Sequence, residues 1–234
     1  METGYTYNSV YKTDSEIAQL QRAFLNKVYS WMVAGLGITA GISYYFYDSG
    51  LVYSVIDYMW LFFFATLGLV FALSAAVNKM SSMVASALFV LYSGLTGITF
   101  STLALVYSGE SIANVFFITA GSFAALSFYG YTAKKDLSGV GRFMFMGLVG
   151  IILATIANFF FASSMLSMMI SIIGVIVFAG LTAYDTQKLK EMYEVQSQGN
   201  EIASKAAILG ALTLYLDFIN LFLFLLRLLG GNRD

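Results

Sequence analysis

From residue 28 onward, long apolar stretches alternate with short polar breaks. The stretches fall at about 28–47, 54–77, 83–107, 112–132, 143–162, 166–185 and 206–229. A helix that crosses a bilayer needs about 20 mostly apolar residues, and each stretch reaches that length. Apolar residues run continuously within them instead of alternating, which favours spanning helices over barrel strands. The pattern predicts an all-α integral membrane protein, with a seven-transmembrane-helix bundle over 28–229. A polar segment, 1–27, precedes the bundle, and a short tail, 230–234, follows it. The N-terminal segment carries mixed charge (Glu2, Lys12, Asp14, Glu16, Arg22, Lys27). It lacks the short apolar core and small-residue site of a cleaved signal peptide.

The basic residues orient the spans. Under the seven-span pattern Lys12, Arg22, Lys27, Lys79, Lys134, Lys135, Arg142, Lys188, Lys190 and Lys205 fall on one side, and Arg227 and Arg233 on the other. The positive-inside rule places the N-terminus in the cytoplasm. An odd number of spans then leaves the C-terminus outside, whereas a re-entrant last segment would return the tail inside. Aromatic residues near segment ends, such as Tyr44, Tyr45 and Trp60 at one surface and Tyr29, Trp31, Tyr129 and Tyr131 at the other, suit interfacial belts. Gly35, Gly37, Gly41, Gly94, Gly97, Gly147 and Gly150 suit close helix packing. Gly35-Leu36-Gly37 follows no strand, so it is not a nucleotide loop. The longest polar connection, about 186–205, reads as a solvated loop.

Composition sharpens the assignment. Of 234 residues 59% are hydrophobic and 11% charged, against roughly a quarter charged in soluble domains. That excludes a water-soluble globule, and the high hydrophobicity excludes a disordered chain. The chain has no Cys, no His and no Pro. Disulfides, thiolate metal sites, imidazole bases and His-ligated cofactors are therefore excluded, and any proton-dependent switch must rest on carboxylates. A net charge of −1 offers no basic face for nucleic acid.

Two carboxylates lie at membrane depth. Asp217 sits within Leu214-Tyr215-Leu216-Asp217-Phe218-Ile219-Asn220, near the middle of the last stretch. An unpaired ionised Asp there costs about 3 kcal/mol on insertion scales, so it must face protein or water. Gly210, Thr213, Asp217, Asn220 and Arg227 share one helical stripe, which predicts an interior cavity beside it. Asp185, in Tyr184-Asp185-Thr186-Gln187-Lys188, lies at the end of the sixth stretch. It pairs either with Lys188 one turn on or, if the last two helices are neighbours, with Asp217. Two adjacent buried carboxylates titrate as a coupled unit. Such a pair suits a divalent cation, a proton sensor, or the shared-proton chemistry of an aspartyl protease. Intramembrane aspartyl proteases carry Gly-x-Gly-Asp at the second site, and Leu214-Tyr215-Leu216 lacks both glycines. No Lys lies within a span for a retinal linkage, and rhomboid-type serine chemistry lacks its His.

Residues 179–187, Ala-Gly-Leu-Thr-Ala-Tyr-Asp-Thr-Gln, and 209–222, Leu-Gly-Ala-Leu-Thr-Leu-Tyr-Leu-Asp-Phe-Ile-Asn-Leu-Phe, resemble the C-terminal signature of the transmembrane Bax inhibitor motif family. Tyr92-Ser93-Gly94-Leu95-Thr96-Gly97 and Tyr129-Gly130-Tyr131-Thr132 resemble its bacterial branch. The resemblance covers the chain from about residue 20. It implies a bundle whose last helix is central, within two three-helix layers. It also implies a multi-pass protein of the bacterial cytoplasmic (inner) membrane that leaks Ca²⁺ in a pH-sensitive way. The matching gating residues are Asp185 and Asp217, which would also hold passing Ca²⁺. Family members use an arginine near the second helix as a latch. Here that region reads Val77-Asn78-Lys79-Met80, so Lys79 takes the place, as a point charge without a bidentate fork.

The expected function is a non-enzymatic Ca²⁺ leak with no cofactor, Ca²⁺ being the transported ion. Thr213, Asn220, Ser93 and Thr96 are the hydroxyl and amide groups expected along the route, or else interhelical hydrogen bonders. The alternative is a non-conducting regulator that binds a membrane protease or another membrane protein through residues 1–25. A remote third is aspartyl proteolysis.

Overall fold

Thr13 opens the first helix with a capping box. Its hydroxyl accepts from the Glu16 N–H, and the Glu16 carboxylate accepts from the Thr13 N–H at 2.8 Å, which satisfies two otherwise orphaned donors. This computed structural model describes residues 13–192, 195 and 199–231, with Asn78 described by its backbone alone. Most of segment 1–27 before the capping box, and residues 232–234 of the tail, therefore lie outside the described residues. Helix α1, Asp14–Asp48, runs without a break across residue 27. There follow α2 (Val52–Asp57), α3 (Met59–Ala76), a 3-10 turn (Val77–Lys79), α4 (Ser82–Phe100), α5 (Leu103–Val106), α6 (Gly109–Thr132), α7 (Ser138–Phe161), α8 (Ser164–Glu191) and α9 (Asn200–Leu229). The described residues contain no strand element.

Six helical stretches are long and apolar enough to cross a membrane: Met59–Ala76, Ser82–Val106, Gly109–Thr132, Ser138–Phe161, Ser164–Glu191 and Asn200–Leu229. The sequence pattern predicts seven. The difference is α1, which at 35 residues is long enough but is diluted by Ser30, Gly35, Gly37, Gly41, Ser43 and its tyrosines. Two other stretches are interrupted. The second breaks at Tyr58 between α2 and α3. The third breaks after Phe100, where the Ser101 hydroxyl donates to the Ile98 carbonyl at 2.6 Å and the Thr102 hydroxyl to the Thr99 carbonyl at 2.8 Å. These side chains compete with the helix for its own carbonyls, so the helix breaks without proline.

Burial separates the spans. The apolar windows of α3 and α7 are each only 6% buried, whereas that of α9 is 67% buried. Trp60, Phe64 and Phe71 on α3 and Phe143, Phe159 and Phe160 on α7 are exposed. Apolar faces of this extent belong against lipid. Helix α9 packs against α1, α4, α6 and α8. Its Tyr215 and Phe218 make edge-on aromatic contacts with Phe89, Tyr92, Phe116 and Phe123.

The bundle ends are tied by polar contacts. At one end Lys27 Nζ donates to Ser204 Oγ at 3.2 Å, Lys205 Nζ to the Met80 carbonyl at 3.3 Å, and Lys190 Nζ to the Tyr131 carbonyl at 2.9 Å. Glu201 accepts from both the Ser82 N–H and hydroxyl, placing a carboxylate at the positive N-terminus of α4. In the adjoining loop, hydrogen bonds from the Ser138 hydroxyl and N–H hold the Asp136 carboxyl below its usual range. At the other end the Gly231 N–H donates to Ser111 Oγ at 2.8 Å, and the Ser108 N–H to the Gly231 carbonyl at 3.3 Å. The two ends of α9 are thus tied to opposite ends of the bundle. Every described Lys and Arg except Arg227 belongs to the first, lysine-rich end.

Glycine places α8 close to its neighbours. A Cβ on Gly130 of α6 would collide with the Ala183 carbonyl of α8, and one on Gly141 of α7 would lie 2.5 Å from the Tyr184 ring. Of the glycines expected to serve packing, Gly35, Gly94, Gly97 and Gly147 do meet close neighbours, whereas Gly37, Gly41 and Gly150 face open space. Gly130→Val is expected to lower stability by about 1–3 kcal/mol through overpacking, with Gly150→Val close to neutral. Unfolding midpoints of the two variants in mixed detergent check this; equal midpoints would refute it.

Candidate functional site

The signature around Asp185 is a run of four residues, each with a separate contact. Tyr184 rests against Gly141 at the start of α7. Thr186 Oγ1 donates to Ser127 Oγ of α6 at 3.4 Å. Gln187 is buried and clamps the α6–α7 connection: its Oε1 accepts from the Leu137 N–H at 2.7 Å, and its Nε2 donates to the Lys135 carbonyl at 2.9 Å. With Tyr184, Thr186 and Gln187 fixed on α6 and α7, the remaining side chain, Asp185, turns to α9. Its carboxyl comes within hydrogen-bonding reach of the Asp217 carboxyl. The structure thus brings together the two carboxylates that the sequence singles out.

Asp217 is 4% exposed, and Asp185 is half-buried. Asp217 Oδ2 is buried with no hydrogen-bond partner among the described residues. Two ionised carboxylates are acceptors only, so neither can satisfy the other. A proton on one of them, or a cation between them, would. An unsatisfied buried polar atom calls for such an explanation. Lys188, exposed and three residues on from Asp185, is the cation whose charge acts on that carboxyl. Among the described residues no cluster of three or more acidic, His or Cys side chains is present. Ca²⁺ takes 6–8 oxygens, so two carboxylates alone do not make a closed cage for it.

Among the described residues the other sequence candidates have hydrogen-bond partners other than the pair, or none. Lys79 is exposed in the 3-10 turn and forms no ion pair among the described residues. Thr213 Oγ1 donates to the Leu209 carbonyl at 3.1 Å, and Asn220 Nδ2 to the Leu216 carbonyl at 2.8 Å, both within α9. Ser93 and Thr96 are buried on α4 and donate to Phe89 and Tyr92 of their own helix. They flank a bridge between helices in which the Thr39 hydroxyl of α1 lies 2.6 Å from the Tyr215 hydroxyl of α9 and 2.9 Å from the Ser93 carbonyl. Two cavities adjoin α9, of about 650 and 320 Å³, and neither is lined by Asp185, Asp217, Thr213 or Asn220.

Gln187, Thr186 with Ser127, and Thr39 with Tyr215 carry geometry that hydropathy does not mark. The available signal is adjacency: a Gln and a Thr directly beside a membrane-depth Asp occupy different faces of one helix, so each needs its own partner.

Comparison with known proteins follows the same residues. The family model described as "Inhibitor of apoptosis-promoting Bax1" matches residues 21–234. The inner membrane protein YbhL of Escherichia coli (strain K12) is 49% identical over 217 residues, which cover 91% of this chain and 93% of the relative. An uncharacterized protein of Deinococcus radiodurans is 47% identical, with 91% and 92% covered. An uncharacterized membrane protein of Streptococcus pyogenes serotype M1 is 36% identical, with 94% and 96% covered.

Gln187→Leu removes the clamp and leaves the Leu137 N–H and Lys135 carbonyl without it. It is expected to destabilise the protein by about 1–3 kcal/mol and to raise amide exchange at Leu137. Exchange at Leu137 equal to wild type would show that the clamp does not hold the connection.

Proposed function

The chain belongs to the Bax inhibitor family of membrane proteins, and from that membership and its paired aspartates we propose a pH-sensitive Ca²⁺ leak through the bacterial inner membrane. The observation that carries the proposal is the meeting of Asp185 and Asp217 across the α8–α9 interface, with one Asp217 oxygen buried and unsatisfied. A site of two facing acceptors changes character with one proton. Protonated, the pair closes on itself through a hydrogen bond. Deprotonated, it repels itself and attracts a cation. Ca²⁺ is the cargo here, with its remaining ligands supplied by water and carbonyls, and the protein has no catalytic role.

In this proposal α1 is the seventh span and α9 the central helix. The length of α1 and the four helices packed on α9 support this arrangement. The lysine-rich end faces the cytoplasm, so the N-terminus is inside and the C-terminus outside. The E. coli relative's description as an inner membrane protein supports the location. Asp185 sits toward the cytoplasmic end of α8 and Asp217 deeper on α9. The pair is thus placed as an inner gate, with Lys188 beside it and Lys79 as the latch cation carried over from the family.

The test is Ca²⁺ influx into liposomes at several pH values, for wild type, Asp217→Asn, Asp185→Asn and a chain lacking residues 1–25. Wild type is expected to conduct. Either Asn variant is expected to change the flux at a fixed pH by about fivefold or more, the scale of a typical coupling energy. The truncated chain is expected to conduct as wild type. Folded protein with no flux above empty liposomes, or Asn variants with an unchanged pH profile, would overturn the proposal and favour a non-conducting regulator.

A further inference from the structure

Helices α1 and α6 both rest on α9 and leave a groove between them, distinct from the aspartate pair. Small residues open its walls among larger ones, Gly37 and Ala40 on α1 and Ala120 and Ala124 on α6, with Phe218 of α9 as floor. The larger chamber, about 650 Å³, reaches from Leu25 and Tyr131 at the lysine-rich end to mid-depth. The smaller, about 320 Å³, continues to Tyr44 and Tyr47 at the other end. Along α1, residues 25–47 cover roughly 33 Å at helical rise, close to the ~30 Å of bilayer hydrocarbon. The groove therefore runs the depth of the membrane and opens sideways toward acyl chains.

Its two mouths differ in charge. At the lysine-rich mouth Lys190 Nζ sits 4.9 Å over the Tyr131 ring and donates to the Tyr131 carbonyl, so one of its three donors is used. Arg22 lies one turn before Leu25, and Lys134 follows the end of α6; both are exposed. Among the described residues lining the opposite chamber are Tyr44 and Tyr47, with Asp48 next in sequence, and no Lys or Arg. Basic sites between spans at one membrane face select anionic headgroups. Leu36, Ala40, Phe116 and Phe218 line both chambers and divide the groove at mid-depth. A helix about 10 Å across would have to displace this divider, whereas a single acyl chain fits within the larger chamber.

We propose that the larger chamber binds one acyl chain of an anionic phospholipid, whose phosphate meets Lys190 at the lysine-rich mouth. The lipid comes from the surrounding leaflet and needs no transport activity, so this site stands or falls apart from the leak. Gly37 is the natural place to block it, because a Cβ there has no neighbour within 4 Å outside its own stretch of helix and points into open space.

The experiment is native mass spectrometry of the purified full chain titrated with phosphatidylglycerol or phosphatidylcholine of equal chain length. Wild type is expected to retain one phosphatidylglycerol in preference to phosphatidylcholine. Lys190→Gln is expected to reduce that preference about fivefold, the worth of one lysine near an anionic surface. Gly37→Phe is expected to weaken both lipids about tenfold or more by filling apolar space. Gly150→Phe, equal bulk on an open face of α7, is expected to bind as wild type. Circular dichroism and thermal unfolding confirm folding, and Ala124→Phe on the facing wall repeats the test where Gly37→Phe misfolds. Retention unchanged by both groove-filling variants, or a preference unchanged by Lys190→Gln, would overturn the proposal. So would a lipid-free dimer that Gly37→Phe dissolves, which would assign the groove to a second copy of the chain.

Discussion

A carboxyl group held 4% exposed in the most buried span constrains everything packed around it. Inside a bilayer every polar group must find its partner within the protein. The carbonyls of α9 are satisfied by their own helix, and the Thr213 and Asn220 side chains return to carbonyls four residues back. Asp217 has no such local answer. Its carboxylate can only accept, and the group that comes within reach is another acceptor, Asp185. The site is therefore incomplete as protein alone and must be completed by a proton or a cation. A neutral isostere such as Asn, whose amide can donate as well as accept, would remove that incompleteness.

The contacts of α8 hold this arrangement in place. Gly130 lets α6 approach the Ala183 backbone, and Gly141 lets α7 seat Tyr184. Gln187 then ties the α6–α7 connection to the same turn of α8. All three contacts lie within five residues of helix, too short for Asp185 to rotate independently of them. A mechanism that moves Asp185 relative to Asp217 must therefore move α8 with α6 and α7, or move α9 past them. The α8–α9 interface is close near the other end as well, where Gly174 lies against the Phe224 ring. That contact makes a rigid shift of α8 as a unit more economical than local bending.

Much of this was legible in the residues. Continuous apolar runs marked seven stretches, six of which coincide with helices long and apolar enough to span, and the scarcity of membrane-depth charge isolated Asp185 and Asp217. Proximity of the two was not legible, because depth along separate helices does not fix their rotation. It follows from Tyr184, Thr186 and Gln187, whose partners are distant in sequence. Helix α1 escaped the hydropathy criterion for a physical reason: glycine, alanine and tyrosine serve packing and grooves at the expense of mean hydropathy. The polar stripe on α9 was expected to mark a cavity. The two cavities instead lie on the aromatic face of α9 with Phe218 and Phe222, because small residues on α1 and α6, and not polar ones on α9, create the space.

The groove and the aspartate pair are nevertheless neighbours through two covalent and contact links. Phe218, the floor of the groove, follows Asp217 directly. Ser127, on the groove wall, accepts from Thr186, which follows Asp185. A change in the distance between α1 and α6 would thus act on both sides of the carboxyl pair at once. Packed interiors resist continuous deformation and favour discrete arrangements. Filling or emptying the larger chamber would be a discrete event of that kind, bearing on α9 directly through Phe218 and on α8 only through Ser127 and Thr186. Coupling between the sites requires only that one state of the pair packs better with the chamber filled. On the two proposals, one element answers to protons and the other to lipid, and single-residue steps on α6, α8 and α9 join them.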